Sequence, residues 1–177
     1  MKNQKIKDLV LMGISLALII VCSKISIQIG AIPLTLQTFA IFICSLILGW
    51  KASIVLVLYT ALGLIGLPVF SSGGGFAYVY NPSFGFIISF IPASLVIGIA
   101  SNKDSRFIKY ITSALGLLII NIVGAFYMYL ILNSYMNVDK TILEVIQIAV
   151  LPFIAKDIVV LALSCIIYSR IRIVLNN

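Results

Sequence analysis

Residues 107–132 read FIKYITSALGLLIINIVGAFYMYLIL, twenty-six positions with one charge, Lys109. About 20 apolar residues in helical form cross a bilayer core, with a usual range of about 17 to 25. A strand of a membrane barrel alternates apolar and polar residues over about ten positions, and this stretch does not alternate. It reads as a transmembrane helix, and the sequence on both sides repeats the pattern.

Working outward, apolar runs extend from Leu9 to about Ser23, from Ile32 to Trp50, from Ala52 to about Leu67, and from Phe84 to Ala100. A last run starts near Ile142, carries Pro152 and ends before Arg170. The end of the first is ambiguous, because Ile25-Ser26-Ile27-Gln28-Ile29 alternates like a strand. Its basic start precedes a long apolar stretch without a convincing cleavage site, so it reads as a retained helix. Of the 177 residues, 62% are hydrophobic and 10% charged, with a mean hydropathy of +1.22. A soluble domain is roughly half apolar and a quarter charged, and a small domain leaves much of its surface exposed. That surface needs lipid as its solvent. The expectation is one domain, 1–177, all-α, a bundle of six transmembrane helices.

The basic residues set the orientation. With the N-terminus in the cytoplasm, the inner segments carry Lys2, Lys5, Lys7, Lys51, Lys103, Arg106, Lys109, Arg170 and Arg172, and the outer ones only Lys24 and Lys140. Nine against two is the bias of the positive-inside rule, and it places both termini in the cytoplasm. The same distribution accounts for the net charge of +7 without nucleic-acid binding. Cys22, Cys44 and Cys165 lie far apart in apolar runs, without metal-ligand or disulfide spacing, and read as packing residues. There is no histidine to act as a base or metal ligand.

Three features do not belong in lipid. Lys156 and Asp157 lie roughly fourteen residues into the last run, near mid-membrane at about 1.5 Å per residue. A charge there costs at least about 2.5 kcal/mol on insertion scales, so such residues point inward. They either hold the bundle together or meet a ligand, Asp157 accepting N–H donors and Lys156 neutralising a carboxylate. Pro152, four residues before Lys156, frees a backbone carbonyl and bends the helix. Thr35, Gln37 and Asn121 are weaker candidates, equally suited to hydrogen bonding between helices. The outer segment from Pro68 to Pro82 carries no charge, three consecutive glycines (Gly73, Gly74, Gly75) and the aromatics Phe70, Phe76, Tyr78 and Tyr80. It is either a flexible interfacial loop or a lid over an outward-facing pocket. No Gly-Lys-Ser/Thr follows the glycines, so it is not a phosphate loop. Gly13 and Ala17 form a small-xxx-small pair that lets another helix approach, from the same bundle or another subunit.

The segments Ile32-Pro33-Leu34-Thr35-Leu36-Gln37-Thr38, Gly63-Leu64-Ile65-Gly66-Leu67-Pro68-Val69-Phe70 with Gly73 to Gly75, Asn81-Pro82-Ser83, and Pro152-Phe153 with Asp157 carry a family resemblance over residues 30–173. In them the chain resembles the BioY family, the biotin-specific substrate-binding (S) components of energy-coupling-factor transporters. The resemblance implies a multi-pass protein of a prokaryotic cell membrane that binds biotin from outside and needs no cofactor. It would work with a transmembrane coupling subunit and two ATPases, since this chain has no Walker motif of its own. Asp157 and Asn81 would meet the ureido group, Tyr78 and the glycine loop would cover the ring, and Lys156 would meet the carboxylate. Gln37 joins them as a candidate, and Gly13 with Ala17 would face the coupling subunit. Two positions depart from the family pattern. Pro82-Ser83-Phe84-Gly85 stands where members have Pro-Thr-Gly-Gly, and Val160 stands where they place a lysine three residues after the aspartate. Lys156, one turn earlier on the same face, is expected to supply that cation. The alternatives are another small carboxylated ligand, such as a lipoate-like compound or a biotin precursor, or a small channel or structural protein. An intramembrane enzyme fits worst, because Asp157 has no evident second carboxylate or histidine beside it.

Overall fold

The structure is a computed structural model and describes residues 2–29, 32–103 and 105–176. Of the expected domain 1–177, Met1, Gly30, Ala31, Asp104 and Asn177 lie outside the described residues, as do the side chains of Lys2 and Arg172. Helix α1 (Lys2–Lys24) leads into an antiparallel pair, β1 (Ser26–Ile29) and β2 (Ile32–Thr35), with Ile27 opposite Leu34. Then follow α2 (Gln37–Leu48), α3 (Lys51–Leu64), a short 3-10 turn (Phe76–Tyr80), α4 (Phe84–Gly98), α5 (Arg106–Ser134), α6 (Ile142–Ala149) and α7 (Leu151–Asn176).

Three helices, α1, α5 and α7, are long and apolar enough to cross a membrane, and α2, α3 and α4 are shorter apolar helices. The protein is therefore a mostly helical membrane protein, with one hairpin added to the all-α expectation. The run from Ile32 to Trp50 does not start as a helix. The residue before a proline is pushed out of the α region, so Ile32-Pro33 enters as extended chain and the helix begins at Gln37. The twelve residues of α2 span only about 18 Å of a core about 30 Å thick. Non-helical backbone at that depth is tolerated only where protein covers it or a cavity adjoins it. Pro33 and Thr35 of the hairpin and Ser71 and Tyr78 of the glycine loop adjoin a cavity, while Ile27 of β1 is exposed.

The last run is also broken. It stops at Val150, whose φ of −119° and ψ of −54° interrupt the helix, and resumes as α7. Pro152 has no N–H to continue the ladder, which is the physical reason for the break. Lys156 and Asp157 are thus the sixth and seventh residues of α7, not mid-helix residues of one long span. Preceding the break, α6 is only eight residues and opens with a capping box. Glu144 accepts from the Thr141 backbone N–H at 2.8 Å and pairs with Lys140, which holds its carboxyl below the usual carboxylate range.

At the centre of the bundle, α2 is buried on nearly every side and touches α1, α3, α4 and α7. Ile41, Phe42, Leu46, Tyr59 and Ile97 are fully enclosed around it. The three cysteines are free and buried.

Phe70 anchors the glycine loop. It is fully buried, with Tyr59, Tyr78 and Phe84 rings 5.4, 4.6 and 6.3 Å from its own. Its ring fills the space beside Gly63, where a Cβ would come 2.0 Å from the ring edge. Val69 O accepts from Ser23 Oγ at 2.6 Å and Tyr59 Oη at 3.1 Å, and Phe70 O accepts from Lys24 Nζ. Gly75 N–H donates to Gly63 O at 2.7 Å. The segment is thus tied to α1 and α3 at Val69, Phe70 and Gly75, and is called the cover below.

A candidate substrate pocket under the glycine loop

Beneath that cover lies a cavity of about 60 Å³, where β2 and the first turn of α2 meet α4, α5, the end of α6 and the start of α7. Its polar side chains are Thr35, Gln37 and Thr38 from the α2 end, Ser71, Tyr78 and Ser83 from the cover and the approach to α4, Asn121 from α5, and Lys156 and Asp157 from α7. The apolar wall is built mainly by Phe86, Ile87 and Phe90 of α4 with Phe153 of α7. On α4 the spacing 83, 86, 87, 90 is one helix face, and on α6–α7 the stripe 149, 153, 156, 157 does the same across the break.

Two buried atoms in this cavity have no hydrogen-bond partner among the described residues: the donor Gln37 Nε2 and the acceptor Asp157 Oδ1. Lys156 Nζ stands 2.8 Å from Asp157 Oδ1, so the two are ion-paired, but the approach lacks the alignment of a hydrogen bond. The ammonium also lies 5.8 Å from the Phe153 ring centre. Buried polar groups are nearly always satisfied in folded proteins. The Gln37 amide, whose donor has no hydrogen-bond partner among the described residues, and the Lys156–Asp157 ion pair thus adjoin one cavity, and a ligand offering both an N–H and a carbonyl complements them. Lys156 adds a cation at one side.

The overall fold is shared with known proteins. The BioY family profile matches residues 1–177. The chain belongs to the BioY family. It is 36% identical over 170 residues to a probable biotin transporter BioY of Pyrococcus horikoshii, with 95% of this chain and 98% of that one covered. It is 34% identical over 169 residues to the biotin transporter BioY of Thermotoga maritima, covering 94% and 96%. Among solved structures, it superposes with a TM-score of 0.85 on the S component for biotin of an ECF-type ABC transporter. That match has 29% identity and covers 97% of this chain and 94% of that one. These relatives are named as transporters, not enzymes.

The structure brings together Asp157, Lys156, Gln37 and Tyr78, as well as the weaker candidates Thr35 and Asn121. It does not bring Asn81 to the cavity. The Asn81 Oδ1 accepts from Ser83 N at 2.9 Å and Ser83 Oγ at 2.7 Å, so this side chain shapes the turn into α4 and positions Ser83. Gly73, Gly74 and Gly75 do not line the cavity either. Their role is to let the cover fold. At Gly74 a Cβ would come 2.1 Å from Leu67 O, and Gly73 and Gly75 have φ of +121° and +111°. Val160 is buried but outside the lining, whereas Lys156 lies within it. Gly13 and Ala17 are exposed, and a Cβ on Gly13 would meet nothing within 4 Å, so no described part of the chain packs on that face. The aromatic wall was missed by sequence reasoning. Stepping three and four residues back from Asp157 would have found Phe153, but nothing in the sequence singles out Phe86 and Phe90 from the other apolar residues of α4.

Proposed function

We propose that this chain is the high-affinity biotin-binding subunit of an uptake system, and acts as a binding component rather than an enzyme. The observation that carries this reading is the meeting in one cavity of the unpartnered Gln37 donor with the Lys156–Asp157 ion pair. Biotin's ureido ring offers N–H groups to Asp157 and a carbonyl to Gln37. Its thioether ring packs on Phe86, Phe90 and Phe153 under Tyr78, and its carboxylate meets Lys156. A wrong ligand leaves those buried groups unpaired, which makes the pocket selective. Ligand pockets usually measure about 300–1,000 Å³, against about 60 Å³ here. Binding therefore includes an outward shift of the cover and the aromatic wall.

The remaining parts of the reading follow the same logic. The six larger helices cross the plasma membrane of a prokaryote with both termini in the cytoplasm. Lys51, Lys103, Arg106 and Arg170 belong to the end opposite the cavity, so the cavity opens outside. The exposed face at Gly13 and Ala17 meets a transmembrane coupling subunit, which two ATPases drive to reorient the loaded protein. Tight binding alone does not transport.

The test is purification in detergent from cells grown with biotin, followed by mass spectrometry of the co-purifying small molecule. Near-equimolar biotin, displaced by labelled biotin and not by lipoate, is the expected result. A different bound carboxylate reassigns the substrate within the same architecture. A protein that neither carries nor takes up any such ligand removes the binding function and favours a channel or structural role.

A further inference from the structure

The cover is tied to α1, α3 and α5, and the three sets of bonds differ in what breaking them leaves behind. Toward α1, the buried Ser23 Oγ donates to Val69 O at 2.6 Å and Lys24 Nζ donates to Phe70 O. A hydroxyl carries one proton, yet Ile20 O of the same helix stands 2.7 Å from the same oxygen. Ser23 can therefore turn back onto its own helix, a common local bond of serine, when it leaves the cover. Val69 O keeps the Tyr59 hydroxyl at 3.1 Å, and Phe70 O keeps the Gly73 N–H at 3.2 Å. Lys24 is exposed, so water takes over its ammonium. Parting α1 from the cover leaves none of these groups unpaired, and the penalty for an unmade buried hydrogen bond does not arise.

The other two sides do not part so cheaply. Toward α3, withdrawing the enclosed Phe70 ring from Gly63 opens a void, and parting Gly75 from Gly63 strips its N–H of a 2.7 Å bond. Toward α5, Tyr127 Oη donates to Val79 O at 2.6 Å, and the Tyr80 and Tyr135 rings stack with centres 4.4 Å apart. Opening there loses both contacts. We propose that Ser23 and Lys24 are positioning residues that form a releasable latch. The cover opens along its seam with α1 and stays anchored on α3 and α5. Ser71, the residue after Phe70, lines the cavity, so freeing the carbonyls of Val69 and Phe70 moves the cavity wall itself. The outward shift that a ligand requires thereby has a location, and this inference rests on the reading of the cavity as the substrate site.

The experiment compares the full chain in detergent with Ser23→Ala, Lys24→Met, both together, Lys24→Arg, and Tyr127→Phe. Two readouts are taken: hydrogen–deuterium exchange of the peptide covering 67–76 in ligand-free protein, and the association rate of radiolabelled biotin by rapid filtration. Association slows when binding waits on a conformational change, so weakening the latch should speed both. The expected gain is roughly two- to tenfold per hydrogen bond removed, with exchange in α5 unchanged as the sign of an intact fold. Lys24→Arg keeps a donor and should match the unaltered protein. Tyr127→Phe removes a bond that the open state retains, so both rates should stay as they were. Unchanged exchange in the double variant, or a larger gain in Tyr127→Phe, would overturn the latch. Faster exchange without faster association would overturn the seam as the ligand's way in. If the unaltered protein bound no biotin, the substrate reading alone would fail, and the exchange comparison would still decide the latch.

Discussion

Replacing Asp157 by Asn is the sharpest perturbation of the proposed pocket. The substitution keeps the side-chain volume and removes the charge of a carboxylate that is 6% exposed. Its Oδ1 is ion-paired with Lys156 outside hydrogen-bond geometry, so a ligand N–H adds a hydrogen bond beside that pair. A hydrogen bond to a charged group contributes about 1.5–3 kcal/mol net. At 1.4 kcal/mol per tenfold, its loss raises the biotin Kd by about 10- to 150-fold. The change also leaves Lys156, 2.8 Å away, without its counter-charge. Its side chain is 20% exposed, so water softens that penalty and the protein remains folded. The assay is calorimetric titration of biotin into purified protein in detergent, with circular dichroism to confirm helix content. A variant of full helix content that binds biotin with unchanged Kd would refute the assignment of Asp157 to the ligand.

Three further substitutions test other links. Gln37→Met removes a buried donor that has no partner, so the ligand-free protein should melt at the same or a higher temperature while the biotin-induced shift in Tm shrinks. A fall in ligand-free Tm would show that the amide serves the fold. Gly74→Ala places a methyl against the Leu67 carbonyl, a backbone atom that cannot swing aside, and should lift the cover and raise the biotin Kd at least tenfold by radioligand binding. Normal affinity would show that the glycine loop takes no part in closure. Gly13→Trp puts a large side chain on a face where a Cβ meets nothing, so biotin affinity should stay unchanged while co-purification with the coupling subunit is lost. Retained co-purification would move that interface elsewhere.

Legibility of the site varied by residue for physical reasons. Lys156 and Asp157 stand out because ionisable groups in an apolar run carry a cost that only a partner or ligand offsets. Gln37 and Thr35 were visible only as polar residues near a helix start, since a buried amide in a membrane protein serves packing as readily as binding. Asn81 reads in the sequence as a ligand residue, and in the structure its Oδ1 accepts from the neighbouring Ser83. Phe86 and Phe90 carry no such signal. They become wall residues only because α4 turns that face toward Phe153.

The sequence by itself determined the lipid solvent and most of the apolar helices, and it set an expectation for the side of the membrane. These depend on local quantities: the length of an apolar run, the placing of lysines at its ends, and the absence of a backbone donor at Pro33 and Pro152. It also carried the family, through motifs whose residues keep their order along the chain. Only the tertiary structure decided that α2 starts at Gln37 beside the cavity, that Val150 ends one helix and Leu151 starts another, and that Phe70 seats against Gly63. It alone also set the unpartnered Gln37 amide and the Lys156–Asp157 ion pair in one cavity. Each of these results from how helices rotate and pack against one another. Rotation is fixed by contacts between residues far apart in the chain, which no local pattern encodes.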